Sequence, residues 1–189
     1  MSIILAFAPF ILFAIVDQIA GSVPGLAAGA VAAALLLLRD VAGQRQAPKI
    51  LELGTLVLFA GLALYAVLAR PDWSLATVRL LVDGGLLAIV LASLVLRRPF
   101  TLQYARAQVP QEFWNSPVFL HTNYAITGVW ALAFAVMVAA DLSFIYLSAL
   151  PPQVGIAATV VAIIAAVKFT AWYPQRVRAR AEQSPLGTA

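Results

Sequence analysis

The chain has 189 residues, 63% of them hydrophobic and only 11% charged, with a mean hydropathy of +0.95. Soluble domains carry about 25% charged residues, and one soluble core could not hide this much apolar surface, so the composition describes a single-domain integral membrane protein. The absence of cysteine excludes disulfides, thiolate nucleophiles and Cys-based metal sites; the lone His121 excludes a multi-His site within one chain; the small net charge of +4 argues against nucleic-acid binding.

Six continuous apolar runs are predicted. Their length and continuity argue against a β-barrel, whose strands would be short and alternate with period two. Run one, Ile3 to Ile19, has no basic segment before it, and Asp17 interrupts the position of a cleavage site, so it is read as a span rather than a signal peptide. Gly21-Ser22-Val23-Pro24 is read as a tight turn into run two, Gly25 to Leu38. Both runs fall short of the about 20 residues a span needs; two tilted spans are favoured over one re-entrant hairpin. Run three is Ile50 to Ala69, run four Leu75 to Leu96, run five about Tyr124 to Ser148 and run six Val154 to Trp172.

Nine of the twelve basic residues sit in three tracts, Arg39 to Lys49, Arg97 to Arg106 and Arg176 to Arg180, each after an even-numbered run. An excess of Lys and Arg marks the cytoplasmic side, so both termini are expected in the cytoplasm. Trp73, Trp114, Trp172 and Tyr173 lie at run ends, where amphipathic rings prefer the interface. The expected fold is all-α: a polytopic bundle of about six transmembrane helices over residues 1–175, with a basic, disordered cytoplasmic tail at 176–189. The first and last basic tracts are explained by orientation alone. Residues 97–122 contain more than orientation requires. Proline, arginines and the aromatics Phe100, Tyr104, Phe113, Trp114 and Phe119 make a segment suited to lying in the interface.

Ionisable groups within spans are costly and mark candidate sites. Arg79 and Asp83 are four apart, on one helical face, and are expected to pair. Asp17 and Asp141 fall near the same outer depth, so Asp17, Arg79, Asp83 and Asp141 form a candidate intramembrane cluster. On the cytoplasmic side, Glu52 could meet Lys168, although snorkelling of Lys168 to the headgroups is favoured. Arg97, Arg98, Tyr104, Arg106, Phe113 and Trp114 form a candidate partner or lipid surface. His121, Asn123 and Thr127 form a polar group at the entry to run five; with no nucleophile or metal partner in evidence it is not read as catalytic. Gly21, Gly25 and Gly29 form a ladder of small residues suited to close helix packing and compatible with homo-oligomerisation. No catalytic residue, metal ligand or cofactor site is predicted.

Several of these features resemble the intracellular septation protein A family of bacterial inner-membrane proteins. They are the Phe/Pro-rich opening span (Phe7, Pro9, Phe10), the basic loop before run three, Arg97-Arg98-Pro99 after run four, Pro110 and Trp114, and Trp130-Ala131 with Phe134 in run five. The resemblance implies a non-enzymatic protein of the bacterial inner membrane, linked to cell division or envelope maintenance and acting through membrane lipids or division and envelope proteins. The alternative is a small transporter or channel built on the Asp/Arg cluster.

Overall fold

The computed structural model describes residues 3–44, 49–146 and 151–182. Among these residues every regular element is helical: α1 (Ile3–Ala6), α2 (Ala8–Ala20), α3 (Ser22–Gln44), α4 (Ile50–Ala69), α5 (Leu75–Val95), α6 (Phe100–Arg106), a 3₁₀ turn (Gln111–Phe113), α7 (Pro117–Tyr146) and α8 (Pro152–Glu182). Five of them, α3, α4, α5, α7 and α8, are long and apolar enough to cross a membrane.

The N-terminal hairpin differs from the sequence expectation in detail. Pro9 has no N–H to donate to the preceding turn, and the first run breaks at Phe7 into α1 and α2. The 13-residue α2 extends about 20 Å at 1.5 Å per residue, less than the hydrocarbon core of about 30 Å. The expected four-residue turn shrinks to Gly21 alone. Gly21 has φ 90° and ψ 175°, a conformation essentially reserved for glycine. With Pro24 accommodated in its first turn, α3 begins at Ser22 and runs 23 residues, well beyond the predicted Gly25–Leu38. The glycine ladder works within the chain: Gly25 packs on the Asp17 backbone of α2, and Gly29 packs on the Phe59 ring of α4.

From α3 onward the helices pack as antiparallel neighbours: α3 on α4, α4 on α5, α5 on α7, and α7 on α8. One core patch gathers Phe13, Leu26, Phe59, Val78 and Val82. The other gathers Leu51, Leu86, Val90, Phe100, Tyr104, Ile126, Trp130 and Phe134. Phe7 stacks on Trp130 at 4.7 Å between centroids, and the Trp130 indole N–H donates to Thr170 Oγ1 at 3.0 Å, tying α8 to α7. Outside these contacts the helices expose Val57, Leu64, Val160, Val161 and Ile164. Only 11% of the most apolar stretch of α8 is buried, against 28–33% in the other four spans. An apolar girdle on that scale is a surface made for lipid.

The bundle has two polar ends. The C-terminus of α3 and the starts of α4 and α7 meet α6 at a basic end. The C-terminus of α2, the start of α5 and the end of α7 meet at the other. The tail expected to be disordered from residue 176 is helical as far as Glu182, since alanine and arginine are strong helix formers. Residues 183–189, Arg45 and the predicted end of run five at Ser148 lie outside the described residues.

Candidate functional site

At the end opposite the basic tracts, the four predicted residues do come together, with a different pairing. Asp17 is buried at the end of α2 and accepts a hydrogen bond from Ser22 Oγ at 2.8 Å across the Gly21 turn. Arg79, one turn into α5, reaches Asp17, with Nε 3.8 Å from Oδ2. No ion pair links Arg79 to Asp83 among the described residues. The expected i,i+4 pair gives way because the α2–α3 hairpin brings a more buried carboxylate within reach of the guanidinium. Asp83 instead faces Asp141 of α7, and the Arg79 charge acts on both. Asp17 Oδ2 and Asp141 Oδ2 are buried without a hydrogen-bond partner among the described residues. Three carboxyls thus share one half-exposed guanidinium.

The basic end contains a network that the sequence does not reveal. Lys49, just before α4, is 6% exposed and forms ion pairs with Asp40 of α3 and with Glu52, the latter at 2.9 Å. Its ammonium lies 5.2 Å from the centroid of the Tyr104 ring, and the Tyr104 hydroxyl donates to Glu52 Oε1 at 3.3 Å. Burial alone would lower the Lys49 pKa, but the hydrogen bonds and charges of Asp40 and Glu52 outweigh it and hold the ammonium above its ordinary value. Burial first, then the Glu52 carboxylate, push the Tyr104 hydroxyl up. Glu52 pairs with Lys49, and Lys168 is exposed on α8, as the favoured snorkelling requires. One expectation is corrected here: the Arg39–Lys49 tract is more than an orientation signal, because Lys49 is a core ion-pair partner. The three-residue spacing of Lys49 and Glu52 was the available clue.

The network fixes α6. Its start is tethered to α5, because Ser93 Oγ donates to Val90 O and accepts from Phe100 N at 3.2 Å. Gln103 Oε1 accepts from the otherwise free Ile50 N–H of α4 at 2.8 Å. Thr101 Oγ1 donates to Asn123 O at 3.0 Å and lies 2.8 Å from Thr127 Oγ1 on α7. The sequence Arg97-Arg98-Pro99 is the hinge into α6. Arg97 takes φ 55°, its N–H donates to Leu94 O, and the Arg98 N–H donates to Ser93 O, which closes α5 in a Schellman motif before Pro99 stops it.

The predicted surface residues therefore divide. Arg97, Arg98 and Phe113 are exposed. Tyr104 is 2% exposed and belongs to the core, a correction to its assignment as a contact residue. Arg106 lies 5.3 Å over the Trp114 ring, and the Trp114 indole donates to Val109 O, so these two side chains brace the α6 connection. His121 is exposed, whereas Asn123 and Thr127 are buried and serve α6 packing. Among the described residues no group of three or more His, Cys, Asp or Glu side chains is arranged to hold a metal.

The fold and its apolar girdle define a polytopic helical membrane protein. The chain matches no protein-family profile and has no significant similarity to the curated proteins or solved structures compared with it.

Proposed function

We propose that this is a non-enzymatic protein of the bacterial inner membrane, of the septation protein A type, supporting cell division or envelope maintenance through contacts made at its basic end. The reading places that end, and both termini, on the cytoplasmic side, following the excess of Arg and Lys there. The observation that supports it most is the anchoring of α6. Side-chain hydrogen bonds from α6 to α4 and α7, and one to its backbone from α5, hold a seven-residue helix rigidly, far more than an orientation signal needs. That platform presents Arg97, Arg98 and Phe113 outward, a cationic and aromatic set suited to anionic headgroups or an acidic partner surface.

The test is genetic and uses the full chain. Deletion of the gene should impair septation or envelope integrity, and the wild-type gene should restore it. Arg97→Gln with Arg98→Gln should insert normally and fail to restore. A deletion strain with normal division and envelope, or full rescue by the double variant, would overturn the proposal.

A second reading, ion or small-solute transport, is supported by the convergence of Asp17, Arg79, Asp83 and Asp141 from three helices. Three carboxyls against one guanidinium in apolar surroundings call for a compensating proton or cation. Under this reading Asp83→Asn abolishes flux in proteoliposomes. Equal flux in wild type, variant and empty vesicles would sink it.

A further inference from the structure

A hollow of about 840 Å³ opens at the basic end between α6, the 3₁₀ turn, the start of α7 and the end of α8. Its size falls within the range of ligand pockets, about 300–1,000 Å³. Tyr104 and Ala105 of α6, Phe113 of the turn, and Phe119 and Ile126 of α7 give it an apolar body. The α8 wall has a different chemistry. Pro174 lacks the N–H that would bond the Thr170 carbonyl, so the pocket wall carries an acceptor free of its helical partner. One turn further on, Arg178 is, among the described residues, the single charged one lining the hollow. It is exposed, and no carboxylate lies within ion-pair distance of it among the described residues.

Depth along α8 indicates what meets this hollow. The helix exposes Val160, Val161, Ile164 and Val167, then Trp172, with Arg176 stacked 5.2 Å over the indole. A tryptophan at that transition marks the boundary between hydrocarbon and headgroups. Arg178 lies six residues beyond it, about 9 Å along the axis, at headgroup level. The apolar wall at Ile126 reaches back toward the hydrocarbon.

We propose that this hollow binds an anionic phospholipid of the adjoining leaflet, with its phosphate at Arg178 and part of an acyl chain against Ile126, Phe119 and Ala105. A soluble phosphate compound would leave most of the apolar lining without a partner; a lipid lacking phosphate would leave Arg178 without one, and in a zwitterionic lipid the headgroup's own ammonium offsets the phosphate charge that Arg178 would meet. The proposal rests on the functional reading above only in placing the basic end at an anionic leaflet. It is read by binding rather than by rescue of cells.

The purified full chain is placed in phosphatidylcholine nanodiscs doped with phosphatidylglycerol carrying a photoactivatable acyl chain, and adducts are mapped by mass spectrometry. Adducts should concentrate in residues 119–126 and 170–178. Arg178→Glu should lower them at least about fivefold, since losing one basic residue at a membrane surface costs about 1 kcal/mol and the new carboxylate adds repulsion. Arg176→Glu, which alters the same surface charge but lies outside the hollow, should lower them clearly less than Arg178→Glu. Ala105→Trp, which fills the hollow, should remove them. A photoactivatable phosphatidylcholine should label the hollow about fivefold less than the anionic lipid, by the same charge argument. Even labelling along the lipid-facing side of α8, or equal labelling by the two lipids, would overturn the proposal. So would adducts insensitive to Arg178→Glu, a test that stands even where Ala105→Trp fails to fold. Normal labelling with failed rescue by wild type would overturn the functional reading alone.

Discussion

Replacing Lys49 with methionine keeps most of the side-chain volume and removes the charge that holds Asp40 and Glu52 together. The Lys49 side chain is 8% exposed, and those of Asp40 and Glu52 are 11% and 2% exposed. The carboxylates cannot recover their hydration in place. The Tyr104 hydroxyl still donates to Glu52 at 3.3 Å, but a neutral hydroxyl does not balance two negative charges. Breaking a buried ion pair from one side costs about 3–5 kcal/mol, because an uncompensated charge stays behind. Lys49→Met should therefore lose about 3–5 kcal/mol of unfolding free energy, read by denaturant titration in a mild detergent. The triple variant Lys49→Met/Asp40→Asn/Glu52→Gln removes the charges together and should return to within about 2 kcal/mol of wild type. A single variant that loses less than about 1 kcal/mol would refute the reasoning. So would a triple variant no more stable than the single one, since that pattern belongs to lost packing rather than a stranded charge.

The same network predicts an alkaline limit. Lys49 and Tyr104 both have pKa values raised by the fold. Their contributions are complete below the unfolded values of about 10.4 and 10 and fall away as pH rises through the folded ones. Wild-type stability should thus hold to about pH 10 and decline above it, and its margin over Lys49→Met should narrow there; a margin constant to about pH 12 would contradict the assignment. At Gly29 an added Cβ would sit 2.7 Å from Phe59, a fully buried ring hemmed in by Phe10 and Phe13. Gly29→Ala should cost about 1–3 kcal/mol, while Gly61→Ala, whose Cβ meets open space, should be neutral or gain up to about 1 kcal/mol. Thr101→Val leaves the Asn123 carbonyl and the Thr127 hydroxyl short of a buried partner and should cost about 1–3 kcal/mol, with faster hydrogen exchange across α6.

The cluster at the far end was legible because intramembrane charges are rare. Asp17, Arg79, Asp83 and Asp141 stand out against apolar runs, and run length alone places them at similar depth. Which of them pair was not legible. Helical spacing favours Arg79 with Asp83, whereas the one-residue turn at Gly21 brings Asp17 to the guanidinium. The seven residues of α6 are harder still. They are too few for a hydrophobic period to say which face turns inward, so Tyr104 looks as much like an interfacial anchor as the core residue it is.

By itself the sequence determined that this chain is a helical membrane protein, because the hydrophobic free energy of long apolar runs is local and additive and needs no partner to be read. It also placed the basic tracts at alternate run ends. Only the tertiary structure decided that Lys49 is buried between two carboxylates, that α6 is pinned into the bundle, and that α6, α7 and α8 leave a hollow edged by Arg178. Those facts depend on which side chains, many of them far apart in sequence, arrive at the same place, and pairing energies between distant residues leave no periodic trace in the chain.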